Sequence, residues 1–117
     1  MVELNEYEDV AVLSLNGELG PEEVRGVEQT LFSLLRTHYR KMVLNFSEVD
    51  HVHYPSAEAL MMAVRKMKNY HADLKFAALS EYNRKIFHFV GAGESFENFE
   101  TVPDAVISFS SNWRTWH

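Results

Sequence analysis

Residues 42–46 read Met42-Val43-Leu44-Asn45-Phe46, a short apolar run with basic and polar residues on both sides. The run is too short for a helix, so it predicts a buried β-strand. In the segment after it, apolar residues recur at helical spacing between Pro55, near the start, and a cluster of basic residues at the end. This polarity suits a helix, because proline fits the first turn and cations stabilise the carboxyl end. A buried strand that leads into an amphipathic helix is the building unit of an α/β sheet.

The alternation of strand and helix patterns continues toward the amino terminus. Residues 10–15 form an apolar, β-branched run that ends at Asn16-Gly17, and residues 2–7 form a weaker strand candidate before it. From Pro21 the apolar residues change to helical spacing, which predicts a helix to about Thr37. The two successive strands predict an antiparallel opening pair.

Toward the carboxyl terminus the same patterns alternate again. Residues 74–79 predict a strand, and Ser80 is a suitable cap for the helix after it. Residues 96–99 alternate like a short last strand, and a capping pattern at 101–104 opens a final helix. The predicted order is therefore ββαβαβαβα. It describes a single α/β domain over residues 1–117, with one mixed, mostly parallel sheet, an antiparallel opening pair and right-handed crossovers.

The composition narrows the classes of function. A chain of 117 residues with 46% hydrophobic residues can form one domain with its own core. It contains no cysteine, which excludes disulfides and thiolate zinc sites and favours the cytoplasm. The net charge of −6 opposes binding to nucleic acid, and no apolar run reaches the roughly 20 residues that span a bilayer. We therefore expect a cytoplasmic protein that neither binds nucleic acid nor inserts into a membrane.

Taken in order, these segments resemble the STAS domain of bacterial anti-sigma factor antagonists. The key segment is the strand Val43-Leu44-Asn45-Phe46-Ser47-Glu48-Val49-Asp50, which leads into the helix that starts near Pro55. Together with residues 10–19, 74–79 and 90–105, it extends the resemblance over nearly the whole chain. The resemblance implies a protein that binds an anti-sigma factor, typically a serine kinase with an ATPase-like fold, and that this kinase switches off by phosphorylation.

The acceptor motif of the family is Asp-Ser-Ser-Gly at the start of the second helix. The corresponding residues here are His53-Tyr54-Pro55-Ser56, and the resemblance places the acceptor serine of the family at Tyr54. The acidic positions that the family has near this site are replaced by Gly20, Asn45 and His53. A phosphoserine among acids acts through repulsion and lost docking, so both the acceptor and its charge environment are changed here. We expect no serine phosphorylation cycle at this position and a constitutively binding-competent protein.

Two hydroxyl-bearing residues near the predicted helix start have alternative interpretations. Tyr54 could be an aromatic anchor in a protein interface, or it could pack over the end of the sheet with its hydroxyl in water. Ser56 could accept a phosphate within the first helical turn, or it could be an ordinary helix-start residue that bonds to backbone amides. Farther along the helix we expect Leu60, Met61 and Val64 in the core. The residues expected to contact a partner are His53, Tyr54, Pro55, Ser56, Glu58 and Met62.

His51 and His53 form a His-x-His pair, whose side chains would point the same way on a strand and could supply two metal ligands. Two ligands do not make a metal site, and Asp50 and Glu58 are the nearby candidates to complete it. The sequence offers no recognisable set of nucleophile, base and oxyanion donor, and no cofactor motif. We therefore expect structural or solvent-exposed histidines, no cofactor and no catalysis.

Three functions follow from these patterns, in order of preference. The first is a regulatory module that binds an anti-sigma factor or a related serine kinase-type signalling protein through the residues around Tyr54. The second is a non-switched STAS subunit of a larger complex, such as a membrane-transport ATPase assembly. The third is a metal-dependent enzyme that uses His51 and His53. The tail residues Trp113 and Trp116 could cap the domain or pair two chains, so a homodimer stays open.

Overall fold

The computed structural model describes residues 2–91 and 96–110, with only the backbone of residue 2. Strands and helices follow one another in the predicted order ββαβαβαβα, which is confirmed. Their bounds are β1 (Val2–Tyr7), β2 (Val10–Leu19), α1 (Pro21–Arg36), β3 (Lys41–Val52), α2 (Tyr54–Asn69), β4 (Asp73–Ala77), α3 (Glu81–Val90), β5 (Asn98–Phe99) and α4 (Val102–Ser110).

The sheet has the strand order β1-β2-β3-β4-β5, so each strand lies beside its neighbour in sequence. β1 pairs with β2 in antiparallel fashion, and the pairs β2–β3, β3–β4 and β4–β5 are parallel. The mixed, mostly parallel sheet with an antiparallel opening pair is therefore confirmed. Crossovers of one hand between strands laid down in one direction put their helices on one face of the sheet, and α1, α2 and α3 share that face.

Apolar residues cover both faces of the sheet, because strand side chains alternate between them. Leu13 and Leu15 of β2 belong to the larger core, which α1, α2 and α3 cover. Val10 and Val12 belong to a smaller core on the opposite face, which α4 covers with Ala105 and Phe109. The result is a helix-sheet-helix sandwich in which the carboxyl ends of the parallel strands meet at one edge.

Two strands are longer than the sequence predicts. β2 continues from Leu15 to Leu19, and β3 continues from Phe46 to Val52. These extensions pair with each other and contain register shifts, one of them next to Gly17, whose φ of 75° suits glycine. Their exposed polar residues break the apolar pattern, so periodicity could not show that the strands continue.

The ends of β4 and β5 also differ from the prediction. β4 stops at Ala77, before Ala78 with a φ of 62°, and β5 is limited to two residues that pair with Phe76 and Ala77. The tail residues Trp113 and Trp116 lie outside the described residues. Over residues 2–91 and 96–110, no helix is long and apolar enough to cross a membrane.

Candidate functional site

The start of α2 lies at the carboxyl edge of the sheet, where β2 and β3 end side by side. His53 has extended backbone angles and caps the helix, and its carbonyl accepts a hydrogen bond from the N–H of Ala57 at 2.9 Å. The N–H of His53 in turn donates to the carbonyl of Leu19 at the end of β2, at 3.1 Å. No side chain caps the helix and its first turn has no acidic residue. The amino end of α2 therefore keeps the positive potential of its dipole.

Asn83 of α3 holds the end of β3 in place. Its side chain is fully buried, its Oδ1 accepts from the N–H of Val52 at 3.2 Å, and its Nδ2 donates to the carbonyl of Val49 at 3.4 Å. β4 pairs with β3 only as far as Asn45, so the later residues of β3 have no strand on that side. The amide of Asn83 takes the place of the missing strand, because it offers one acceptor and one donor as a strand backbone would.

The sequence reasoning did not single out Asn83. A signal was present, because residue 83 stands at helical spacing with Ile86, Phe87 and Val90 and so lies on the apolar stripe of α3. A polar residue in such a stripe is buried, and a buried amide needs partners.

Five side chains form an exposed aromatic patch around the start of α2, which we call the ring surface. Tyr54 is 53% exposed and its ring lies 5.5 Å, centre to centre, from that of Phe89, which is 74% exposed. The His51 ring lies 5.2 Å from the His53 ring and 5.5 Å from the Tyr82 ring. The Tyr82 hydroxyl and Nδ1 of His51 are hydrogen-bonded at 3.0 Å. Aromatic side chains left exposed in a group are typical of surfaces that bind other proteins.

The structure brings most of the predicted contact residues onto this surface. Tyr54, Pro55, Glu58 and Met62 are all exposed, and His53 is half-buried at the helix cap. Leu60, Met61 and Val64 are buried in the larger core, as predicted. Tyr82 and Phe89 were not predicted as contact residues, although the position of residue 89 off the apolar stripe of α3 was a readable signal.

Ser56 lies elsewhere. Its side chain is only 2% exposed, and its Oγ has no hydrogen-bond partner among the described residues. It faces a cleft of about 200 Å³ between the first turns of α1 and α2, lined also by Pro21, Arg25 and Glu28. The hydroxyl of Ser56 is therefore not on the ring surface, and it makes none of the bonds to backbone amides expected of a helix-start serine.

The two histidines are neighbours but gain no further ligand. The carboxylate of Glu18 is 3.9 Å from Nε2 of His53, and neither Asp50 nor Glu58 joins the pair. In the described part of the chain, no three residues of the types His, Cys, Asp and Glu are placed to hold a metal ion. These residues do not fit a metal centre, since a zinc site needs at least three protein ligands.

The positions where the family has acids do not all lie together. A Cβ built on Gly20 would be 3.9 Å from Cε1 of His53, so these two positions are adjacent. Asn45 instead bonds to the Ser14 hydroxyl at 3.0 Å, on the face of the sheet that α4 partly covers. Of the three replacements implied by the resemblance, two therefore change the surroundings of Tyr54 directly.

Comparisons with known proteins agree with this architecture. The family model described as the STAS domain matches residues 1–105. The anti-sigma factor antagonist SpoIIAA in its unphosphorylated form is 17% identical, with a TM-score of 0.79, and the match covers 95% of this chain and 97% of that one. An anti-sigma factor antagonist from Mycobacterium paratuberculosis is 18% identical, with a TM-score of 0.79 and 92% of both chains covered.

The fold also occurs within a larger protein. The murine anion transporter Slc26a9 is 15% identical with a TM-score of 0.76, and the match covers 92% of this chain but 19% of the transporter. A comparison with curated proteins finds no significant match. At these identities the structural neighbours show the fold, and the family model, which spans most of the sequence, shows the family. The resemblance predicted from the sequence is confirmed, and the chain belongs to the STAS domain family.

Proposed function

We propose that this protein is a non-catalytic regulatory module that acts in the cytoplasm and binds an anti-sigma factor, or a related serine kinase-type protein, through the ring surface. The observation that carries the proposal is the exposed aromatic group around the start of α2, on a fold shared with anti-sigma factor antagonists. The absence of cysteine from the sequence supports a reducing compartment.

The chemistry of the ring surface supports a protein partner. Tyrosine and phenylalanine bury a large apolar area with few rotatable bonds, so they bind at low entropic cost. Tyr54 and Phe89 already contact each other, and the Tyr82 hydroxyl is held by His51, which further limits the freedom lost on binding. The uncapped start of α2 adds a positive end that suits a carboxylate of the partner.

Replacing Tyr54 with aspartate is expected to weaken partner binding about tenfold or more, or ~1.4 kcal/mol, because truncating an aromatic anchor costs more than 1 kcal/mol at a hot spot. The domain should stay folded, since an acidic residue suits the first turn of a helix. The affinity for the partner captured from native lysate is measured by calorimetry, alongside the circular dichroism spectrum.

Tyr70 offers a matched control, because it is exposed at the other end of α2 and Tyr70→Asp makes the same chemical change. This variant should keep its affinity, apart from a small loss of stability where the negative charge meets the carboxyl end of the helix. Equal affinities for the wild type and the Tyr54 variant would move the interface away from the ring surface.

We further propose that the protein lacks the phosphoserine switch of the family. Residue by residue, the two serines of the family motif fall on Tyr54 and Pro55, neither of which offers a serine hydroxyl. Ser56 is the nearest serine, and its buried side chain would have to leave the cleft between α1 and α2 to reach a kinase. A phosphate there would also lie near Glu28.

Incubation with the partner kinase and ATP is therefore expected to add no phosphoryl group to residues 53–56, and partner binding should not change. Intact mass spectrometry, followed by peptide mapping, measures this directly. A stoichiometric adduct on any of these residues, coupled to release of the partner, would restore the family's switch.

The match to Slc26a9 favours a second candidate, in which the domain is a stable part of a larger assembly such as a membrane-transport complex. A pull-down from native lysate separates the two candidates. An assembly subunit would co-purify in fixed stoichiometry with membrane components, whereas the proposed module would co-purify with a kinase-type regulator.

A further inference from the structure

A second surface lies away from the ring surface, between α4 and the turn that joins β1 to β2. Two adjoining hollows of about 440 and 310 Å³ share Tyr7, Val106 and Ile107 as walls. One hollow extends to Val102 near the start of α4, and the other extends to Ser110 at its end. Together they form a continuous apolar groove along the helix, which we call the α4 groove.

The α4 groove leaves more apolar surface exposed than a terminal helix needs. Ala105 and Phe109 already bury the inner face of α4 against the sheet, yet Ile107 is 55% exposed and Tyr7 is 49% exposed. Asp104 is the single charged residue of the helix. A helix that is apolar beyond its buried stripe is typical of one that another segment covers.

The chain itself supplies a segment of the right length. Ser110 lines the groove, and the next seven residues read Ser111-Asn112-Trp113-Arg114-Thr115-Trp116-His117. Seven extended residues span about 23 Å, whereas the nine residues of α4 rise about 14 Å along the helix. A segment that reverses direction after Ser110 can therefore cover the whole groove.

The chemistry of the segment matches the groove as well. Trp113 and Trp116 carry the two indoles of the sequence, which bury the largest apolar area of any side chain type. Arg114 stands between them, and Glu8 and Asp9 line one end of the groove. Lys41 donates to Asp9 at 2.8 Å and lowers the pKa of that carboxyl, so the carboxylate stays charged over a wider pH range.

We propose that residues 111–117 fold back along α4 and bury their tryptophan side chains in the α4 groove, against Tyr7 and Ile107. This intramolecular contact covers the apolar face of α4 and joins the end of the chain to the turn between β1 and β2. It is independent of the function proposed for the ring surface.

Tryptophan fluorescence tests the proposal, because Trp113 and Trp116 are the only tryptophans of the sequence. The folded wild type should emit at shorter wavelength than the protein unfolded in urea and should resist quenching by acrylamide. Ile107→Glu should shift the emission toward that of the unfolded chain and increase the quenching. Met62→Glu is the matched control, since Met62 is 52% exposed on α2, outside the α4 groove, and this variant should leave both readings unchanged.

A second measurement does not depend on the folding of the Ile107 variant. The methyl signals of Ile107 in the wild type should carry ring-current shifts that disappear in the Trp113→Ala, Trp116→Ala double variant. Emission and quenching equal to those of free tryptophan in the folded wild type would overturn the proposal. So would a blue-shifted emission that reverts on dilution as a dimer dissociates, because the occupant of the groove would then be a second copy of the chain.

Discussion

Replacing Phe87 with alanine is expected to lower the free energy of unfolding by about 3–5 kcal/mol, which is the usual cost of deleting a fully buried phenylalanine. Phe87 is 0% exposed, and its ring centre lies 5.7 Å from that of Phe46, 5.1 Å from Phe76 and 5.6 Å from Phe96. The variant therefore loses both apolar burial and edge-to-face contacts. At this chain length the midpoint of thermal unfolding should fall by roughly 10–20 °C, measured by calorimetry.

The same helix carries the control. Phe89 follows two residues later and points outward, so Phe89→Ala should change the stability by no more than about 0.5 kcal/mol. On the function proposed above, it should nevertheless weaken partner binding, because its ring contacts Tyr54 on the ring surface. A Phe89 variant as unstable as the Phe87 variant would contradict the assigned orientation of α3.

Asn83→Leu is expected to lower the free energy of unfolding by about 2–4 kcal/mol, although leucine is apolar and similar in size. The change leaves the N–H of Val52 and the carbonyl of Val49 buried without partners, and each such group costs about 1–3 kcal/mol. The end of β3 should also open more readily. Hydrogen exchange at the Val52 amide should therefore accelerate by more than the global loss of stability explains.

The matched control for this prediction is Arg84→Ala, the exposed neighbour on the same helix, for which we expect a change within about 0.5 kcal/mol. Unchanged stability and unchanged Val52 exchange in the Asn83→Leu variant would show that the side chain does not hold the strand. If they change as expected, His53 and Tyr54 owe their position in part to a residue of another helix.

Much of the candidate site was readable in advance. The apolar periodicity of α2, with Pro55 at its start, fixed which residues face the core and which face outward, because burial must follow the helical repeat. That is why Tyr54, Glu58 and Met62 are exposed and Leu60 is buried, as predicted. The choice of Ser56 as a surface hydroxyl failed to follow the same rule, since residues 56, 60, 63 and 67 share the buried face.

The amino-acid sequence alone determined the order of strands and helices, because that order depends on local periodicity and capping, which neighbouring residues encode. Only the tertiary structure decided how far β2 and β3 extend, since their polar ends are held by each other and by Asn83, a residue more than thirty positions away in sequence from Val52. Likewise, only packing brought Phe89 against Tyr54 and Tyr82 against His51, because no local pattern relates residues of α3 to the end of β3.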